Sequence, residues 1–96
     1  MAILHVFQNV KDYITGLRES ERGKIKLSFE LLESDMTHSS KIKTLRGPIK
    51  ELIIKHHRLV FFRKDEIIYM IDIFKKQGRK TPLRIIERAE RLYQSS

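Results

Sequence analysis

The sequence predicts a single α+β domain with its elements in the order β-α-α-β-β-β-α, and three observations point to it. A short β-prone run opens the chain, two segments with apolar residues at helical spacing follow, and alternation with period two takes over after Gly47-Pro48. Ninety-six residues support one core, so residues 1–96 are read as one domain.

Residues 2–7, AILHVF, form the first strand. Val10, Tyr13, Ile14 and Leu17 then recur at helical spacing, with Asn9 as N-cap and an end near Gly16 or Leu17. A second helix opens at Ser20 and sets Ile25, Phe29, Leu32 and Met36 in one stripe, with Leu31 on an adjacent row. Gly23 in its first turns blurs the start. The polar stretch Thr37 to Lys41 ends the helical region, and Gly47-Pro48 punctuates before the next strand. Residues 49–55, 57–63 and 67–74 are rich in Ile, Val, Phe and Tyr, with polar joints around His56 and Lys64-Asp65-Glu66, which reads as an antiparallel meander. Thr81 as N-cap and Pro82 at N1 start a last helix that buries Ile85, Ala89 and Leu92. No internal repeat appears.

Composition narrows the function. The chain has no cysteine, which excludes a disulfide framework, a thiolate metal cage and a cysteine nucleophile, and is compatible with a reducing cytoplasm. No apolar stretch approaches the roughly 18 residues of a membrane span, and the opening residues lack a positive region and a cleavage site, so the chain is expected to be neither inserted nor secreted. The net charge is +8, and it is uneven: residues 1–40 hold five basic and six acidic residues, residues 41–96 fifteen and six. Such a field attracts polyanions to the C-terminal half.

Several chemistries drop out. His56 and His57 point to opposite sides and have no third ligand at metal spacing, so no metal is expected. Ser28, Ser39 and Ser40 lack nucleophile-elbow glycines, and with four glycines the chain has neither a phosphate loop nor a dinucleotide fingerprint, so no cofactor is expected.

The cations that remain have a pattern. In the middle strand Arg58, Val60 and Phe62 face one side, and His57, Leu59, Phe61 and Arg63 the other. Arg58 is therefore a cation near the sheet's centre, where an ion pair with Glu51 or Asp72 would make it structural. At the end of the last strand, Lys75-Lys76-Gln77-Gly78-Arg79-Lys80 carries four cations in six positions, a match for spaced phosphates. Lys41, Lys43, Arg46, Lys50 and Lys55 add charge upstream. Of the aromatics Phe61, Phe62, Tyr69 and Phe74, most are expected in the core, with Tyr69 the best candidate for partial exposure.

The stretch from Leu45 to Leu92 resembles the RelE/HigB superfamily of toxins from bacterial toxin–antitoxin modules, in particular its phage-derived HigB-like branch. The motifs are K-x-L-x-G at Lys43 to Gly47, Glu51-Leu52 on a strand, Arg58 followed by apolar and aromatic residues to Phe62, and F-K-K-x-x-x-K-T-P at Phe74 to Pro82. The ending Ile86-Glu87-Arg88-Ala89-Glu90-Arg91 is similar to the family's last helix. With the N-terminal helices the resemblance covers almost the whole chain.

The resemblance implies a RelE-like fold, with two N-terminal helices packed on a small, mainly antiparallel twisted sheet and a C-terminal helix. It also implies a metal-free endoribonuclease that cleaves mRNA, commonly in the ribosomal A site, and is neutralised by a helix-turn-helix, HigA-like antitoxin. Arg58 corresponds to the family's central sheet arginine, and Lys75 and Lys76 to its basic pair. Many relatives carry an arginine after the glutamate-leucine pair, where this chain has Ile53. The general base is left open among Lys50, Lys55 and His57, and Lys55 is favoured over Lys50 for the missing cation. The expected catalytic set is Arg58, Lys75, Lys76, Lys55 and His57, with Lys43, Arg46, Lys50, Arg79 and Lys80 contacting RNA. The rival functions are a ParE-like poison of DNA gyrase and a non-catalytic phage-derived nucleic-acid-binding protein.

Overall fold

Three tight turns build the sheet. Gly47, Lys55 and Asp65 each open a two-residue turn with a left-handed backbone, at φ 55°, 54° and 57°. Turns of that hand match the right-handed twist of the strands they join. In the computed structural model, which describes residues 2–35 and 41–96, they link β2 (Lys41–Arg46), β3 (Ile49–Ile54), β4 (His57–Lys64) and β5 (Ile67–Lys75) into an antiparallel meander. The N-terminal strand β1 (Ile3–Val6) pairs with β5 in parallel, giving the order β1-β5-β4-β3-β2. Helices α1 (Gln8–Thr15) and α2 (Glu19–Glu33) follow β1, and α3 (Leu83–Ser95) follows β5.

The expected order β-α-α-β-β-β-α is therefore corrected to β-α-α-β-β-β-β-α, with a five-stranded mixed sheet. The additional strand is β2, whose polar composition disguises it as a connection. It is an edge strand that exposes Lys41, Lys43 and Arg46 and half-buries only Ile42 and Leu45, a composition that blunts edge-to-edge pairing. Met36 and the rest of the polar stretch to Ser40 lie outside the described residues.

Both faces of the sheet are covered. On one, Leu52, Ile54, Leu59, Phe61, Met70 and Ile73 meet Val10 of α1 and Ile25 and Leu32 of α2. On the other, Ile49, Val60, Phe62 and Ile71 meet Ile85 and Ala89 of α3. Phe62 is the largest fully buried side chain, stacked on Tyr69 at 5.0 Å and edge-on to Tyr93 at 5.1 Å. Tyr69 and Phe74 are half-buried, while Phe61 and Phe62 are buried.

Two expected caps are replaced by long-range bonds. The register between β4 and β5 shifts after Val60 and skips Ile71, a bulge. The Ile71 carbonyl accepts from Asn9 Nδ2 at 3.0 Å and from Arg88 Nη1 at 3.1 Å. Phe7, not Asn9, is thus the N-cap residue of α1. Pro82, not Thr81, is the N-cap residue of α3, because the Thr81 hydroxyl donates to Glu51 Oε1 at 2.9 Å. The second helix begins at Glu19, one residue before the expected Ser20.

Candidate functional site

Lys55, His57, Arg58, Lys75 and Lys76 gather at the end of the sheet where β4 begins and β5 ends, and strand alternation divides His57 and Lys75 from Arg58. Arg58 pairs across the strands with Phe74 and Ile53, and His57 pairs with Lys75 and Ile54. Arg58 accordingly shares the face that α3 covers, whereas His57 shares the face covered by α1 and α2.

On the α3 face, Glu51 is buried at 5% exposure although charged. Besides the Thr81 hydroxyl it has Arg58 Nε at 4.0 Å from Oε1, the first of the two structural partners expected for that arginine. Arg58 also donates through Nη1 to the carbonyls of Lys55 at 2.7 Å and His57 at 3.0 Å. Glu51 lines a cavity of about 290 Å³ bounded by Lys43 and Thr44 of β2, Phe74, Lys76, Arg79, Lys80 and Thr81 at the end of β5, and Leu83 and Ile86 of α3. Four cations thus surround one buried carboxylate. Arg58 is not in the cavity wall and reaches it through Glu51.

His57 is enclosed differently. The residue is 4% exposed; Nδ1 lies 2.7 Å from the Tyr13 hydroxyl and Nε2 lies 3.1 Å from Glu21 Oε2. With Glu21 ionised, Nε2–H donates to it, and in the neutral ring Nδ1 accepts from the phenol. The hydrogen bond from His57 holds the Glu21 carboxyl below the usual glutamate range. Burial, and then the Glu21 charge, raise the Tyr13 phenol. This chain of groups ties α1 and α2 to the start of β4.

Lys55 and Lys50 lie away from the cavity. Lys55 is exposed at the hairpin tip beside Lys24 of α2, and the close approach of these two like-charged side chains, followed by burial, pulls Lys24 below the usual lysine range. Lys50 shares the α1 and α2 face with Leu52 and Ile54, and its Nζ lies 3.4 Å from Thr44 Oγ1. Arg46 is paired bidentately with Glu90, fastening the end of β2 to α3. Lys75 lines a second cavity, on the side of Tyr13.

Two contributors escape the sequence reading in their site role. Glu51 enters it as an ion-pair partner and part of the Glu51-Leu52 motif, and Thr81 as a cap and part of the motif ending at Pro82, neither with a role in the site; the signal for Glu51 is a carboxylate at an inward strand position flanked by Ile49 and Ile53. No cluster of metal-ligating side chains occurs among the described residues. No helix there is long and apolar enough to cross a membrane.

Fold and site together define a small basic α+β domain that concentrates its cations at one open end of a covered sheet. The chain belongs to the family described as Phage derived protein Gp49-like (DUF891), whose match spans residues 12–94. This is a family of RelE/HigB-type toxins of toxin–antitoxin modules, and membership implies a cognate antitoxin partner. No curated protein matches the chain.

Proposed function

We propose that the protein is a toxin of the HigB-like branch, an endoribonuclease that cleaves mRNA on the ribosome in the cytoplasm without a metal, and that its antitoxin is a helix-turn-helix protein. The observation that carries the reading is the buried carboxylate of Glu51 facing a cavity ringed by Lys43, Lys76, Arg79 and Lys80, with Arg58 at 4.0 Å from it. Such a cavity accepts a phosphodiester, and the carboxylate is the group within it suited to take a proton.

In this reading Glu51 accepts the 2′-OH proton and the 2′-oxygen attacks phosphorus. The P–O5′ bond breaks, and the leaving oxygen takes a proton from the Lys76 ammonium. Lys43 offsets the charge on the pentacoordinate phosphate, and Arg58 acts from behind, through its ion pair with Glu51. The products are a 2′,3′-cyclic phosphate and a 5′-hydroxyl.

Primer-extension mapping of transcripts after a short induction tests the reading. Discrete new 5′ ends within coding regions support it. Intact mRNA accompanied by DNA breaks would replace it with the gyrase poison, and neither effect would leave a binding protein.

A further inference from the structure

The end of the sheet carries a second cavity, of about 360 Å³, that the reading above does not use. Its volume is at the lower end of the range for small-ligand sites. Its cations are Lys75 at the end of β5, Lys80 in the following loop and Arg84 in the first turn of α3, and its apolar walls include Tyr13, Phe74 and Pro82. The phenol of Tyr13 is already committed to His57, so that residue offers its ring to a ligand and not its hydroxyl.

Phe74 and Lys80 line both this cavity and the one that holds Glu51. The two are therefore adjacent across a shared wall at the end of β5, where Lys75 and Lys76, consecutive in sequence, divide between them. Each combines a cationic rim with apolar surface, the pairing that holds a single-stranded nucleotide through its phosphate and its base.

We propose that the second cavity is a subsite for the neighbouring nucleotide of the same RNA strand, with Lys75 and Arg84 on its phosphate and Tyr13 and Phe74 beside its base. The strand passes from the Glu51 cavity around Lys80 into this one. The inference rests on the RNA-cleaving reading and extends it from one phosphate to two. It also assigns Lys75 a binding role distinct from that of Lys76.

The test measures fluorescence anisotropy of a labelled, fully 2′-O-methylated single-stranded RNA of about eight nucleotides, titrated at increasing salt against the full chain and three variants. Lys75→Gln/Arg84→Gln alters the second cavity, Lys76→Gln the first, and the triple variant both. Lys75, Lys76 and Arg84 are exposed, so thermal melts of the variants should match the wild type. For a single strand, removing one protein–phosphate interaction makes the slope of log K against log salt shallower by about 0.7. The proposal expects that change for Lys75→Gln/Arg84→Gln and for Lys76→Gln, and about twice it for the triple variant. A wild-type slope in Lys75→Gln/Arg84→Gln, with a reduced one in Lys76→Gln, overturns the second subsite and leaves the first. No binding of the RNA by the wild-type chain overturns both.

Discussion

Removal of Arg58 should unbalance the protein's interior as well as its site. Glu51 is 5% exposed, and the Arg58 side chain is 12% exposed with Nε at 4.0 Å from Oε1. At that separation two unit charges attract by about 4 kcal/mol in an effective dielectric of about 20. Deleting one partner of a buried pair typically costs about 3 to 5 kcal/mol, because the other charge stays desolvated. The bonds from Nη1 to the carbonyls of Lys55 and His57 disappear as well, though water at the hairpin end offsets much of that. Arg58→Ala is therefore expected to lose about 2 to 4 kcal/mol of stability. That contrasts with the small loss expected of a residue that only contacts substrate. Urea denaturation followed by circular dichroism measures it, and Arg58→Met/Glu51→Gln should regain most of the loss, since the neutral amide introduced at position 51 would keep a hydrogen bond from Thr81. Arg58→Ala within about 0.5 kcal/mol of wild type would show that the pair is not a buried, uncompensated one, as would a double variant no more stable than the single one.

Other consequences can be measured separately. Lys55 holds φ 54° without glycine's freedom; Lys55→Gly should raise the unfolding free energy measured in urea by about 0.5 to 1 kcal/mol, and Asp65→Gly by less, because Asp adopts this conformation more readily. A Lys55→Gly variant less stable than the wild type would contradict this, since losing the approach of Lys55 to Lys24 also removes a like-charge repulsion. Glu21 has a folded-state pKa lowered first by its hydrogen bond with His57, so its contribution is present above the unfolded value of about 4.3 and is lost as pH falls through the folded one. The stability gap between wild type and Glu21→Gln should close as the pH drops below about 4.3, and a gap that persists in acid would contradict the assignment. Phe62→Ala, which empties the core between the sheet and α3, should cost about 3 to 5 kcal/mol, and a cost below about 1 kcal/mol would mean that the site collapses without strain.

Features with local signals are legible in the sequence, and those made by distant partners are not. Alternation alone separates Arg58 from His57, and the same rule separates Phe74 from Lys75, because a strand's side chains have no third direction. Edge strand β2 is hidden because Lys41, Lys43 and Arg46 make it read as solvated, although Gly47-Pro48 is a two-residue joint of the same length as the two that separate the later strands. Thr81 before Pro82 has the form of a cap, yet its hydroxyl bonds Glu51, 30 residues away. Asn9 likewise serves the bulge at Ile71, 62 residues away, and no local pattern announces that bulge. The amphipathic stripe of α3 is readable from Ile85 and Ala89, but not that it covers the Arg58 face and so closes one wall of the cavity.

Cleavage of a defined mRNA on programmed ribosomes, by wild type and by Lys76→Ala, shows whether the Glu51 cavity cuts RNA. Lys76 is exposed at the end of β5, so its removal should leave folding unchanged while taking one cation from the Glu51 cavity. Discrete cleavage is expected of the wild type, and a rate lower by about a hundredfold to a thousandfold of Lys76→Ala, the usual cost of one transition-state contact. Wild-type cleavage by Lys76→Ala would move the chemistry out of this cavity, and uncut mRNA with the wild-type protein would contradict the nuclease itself.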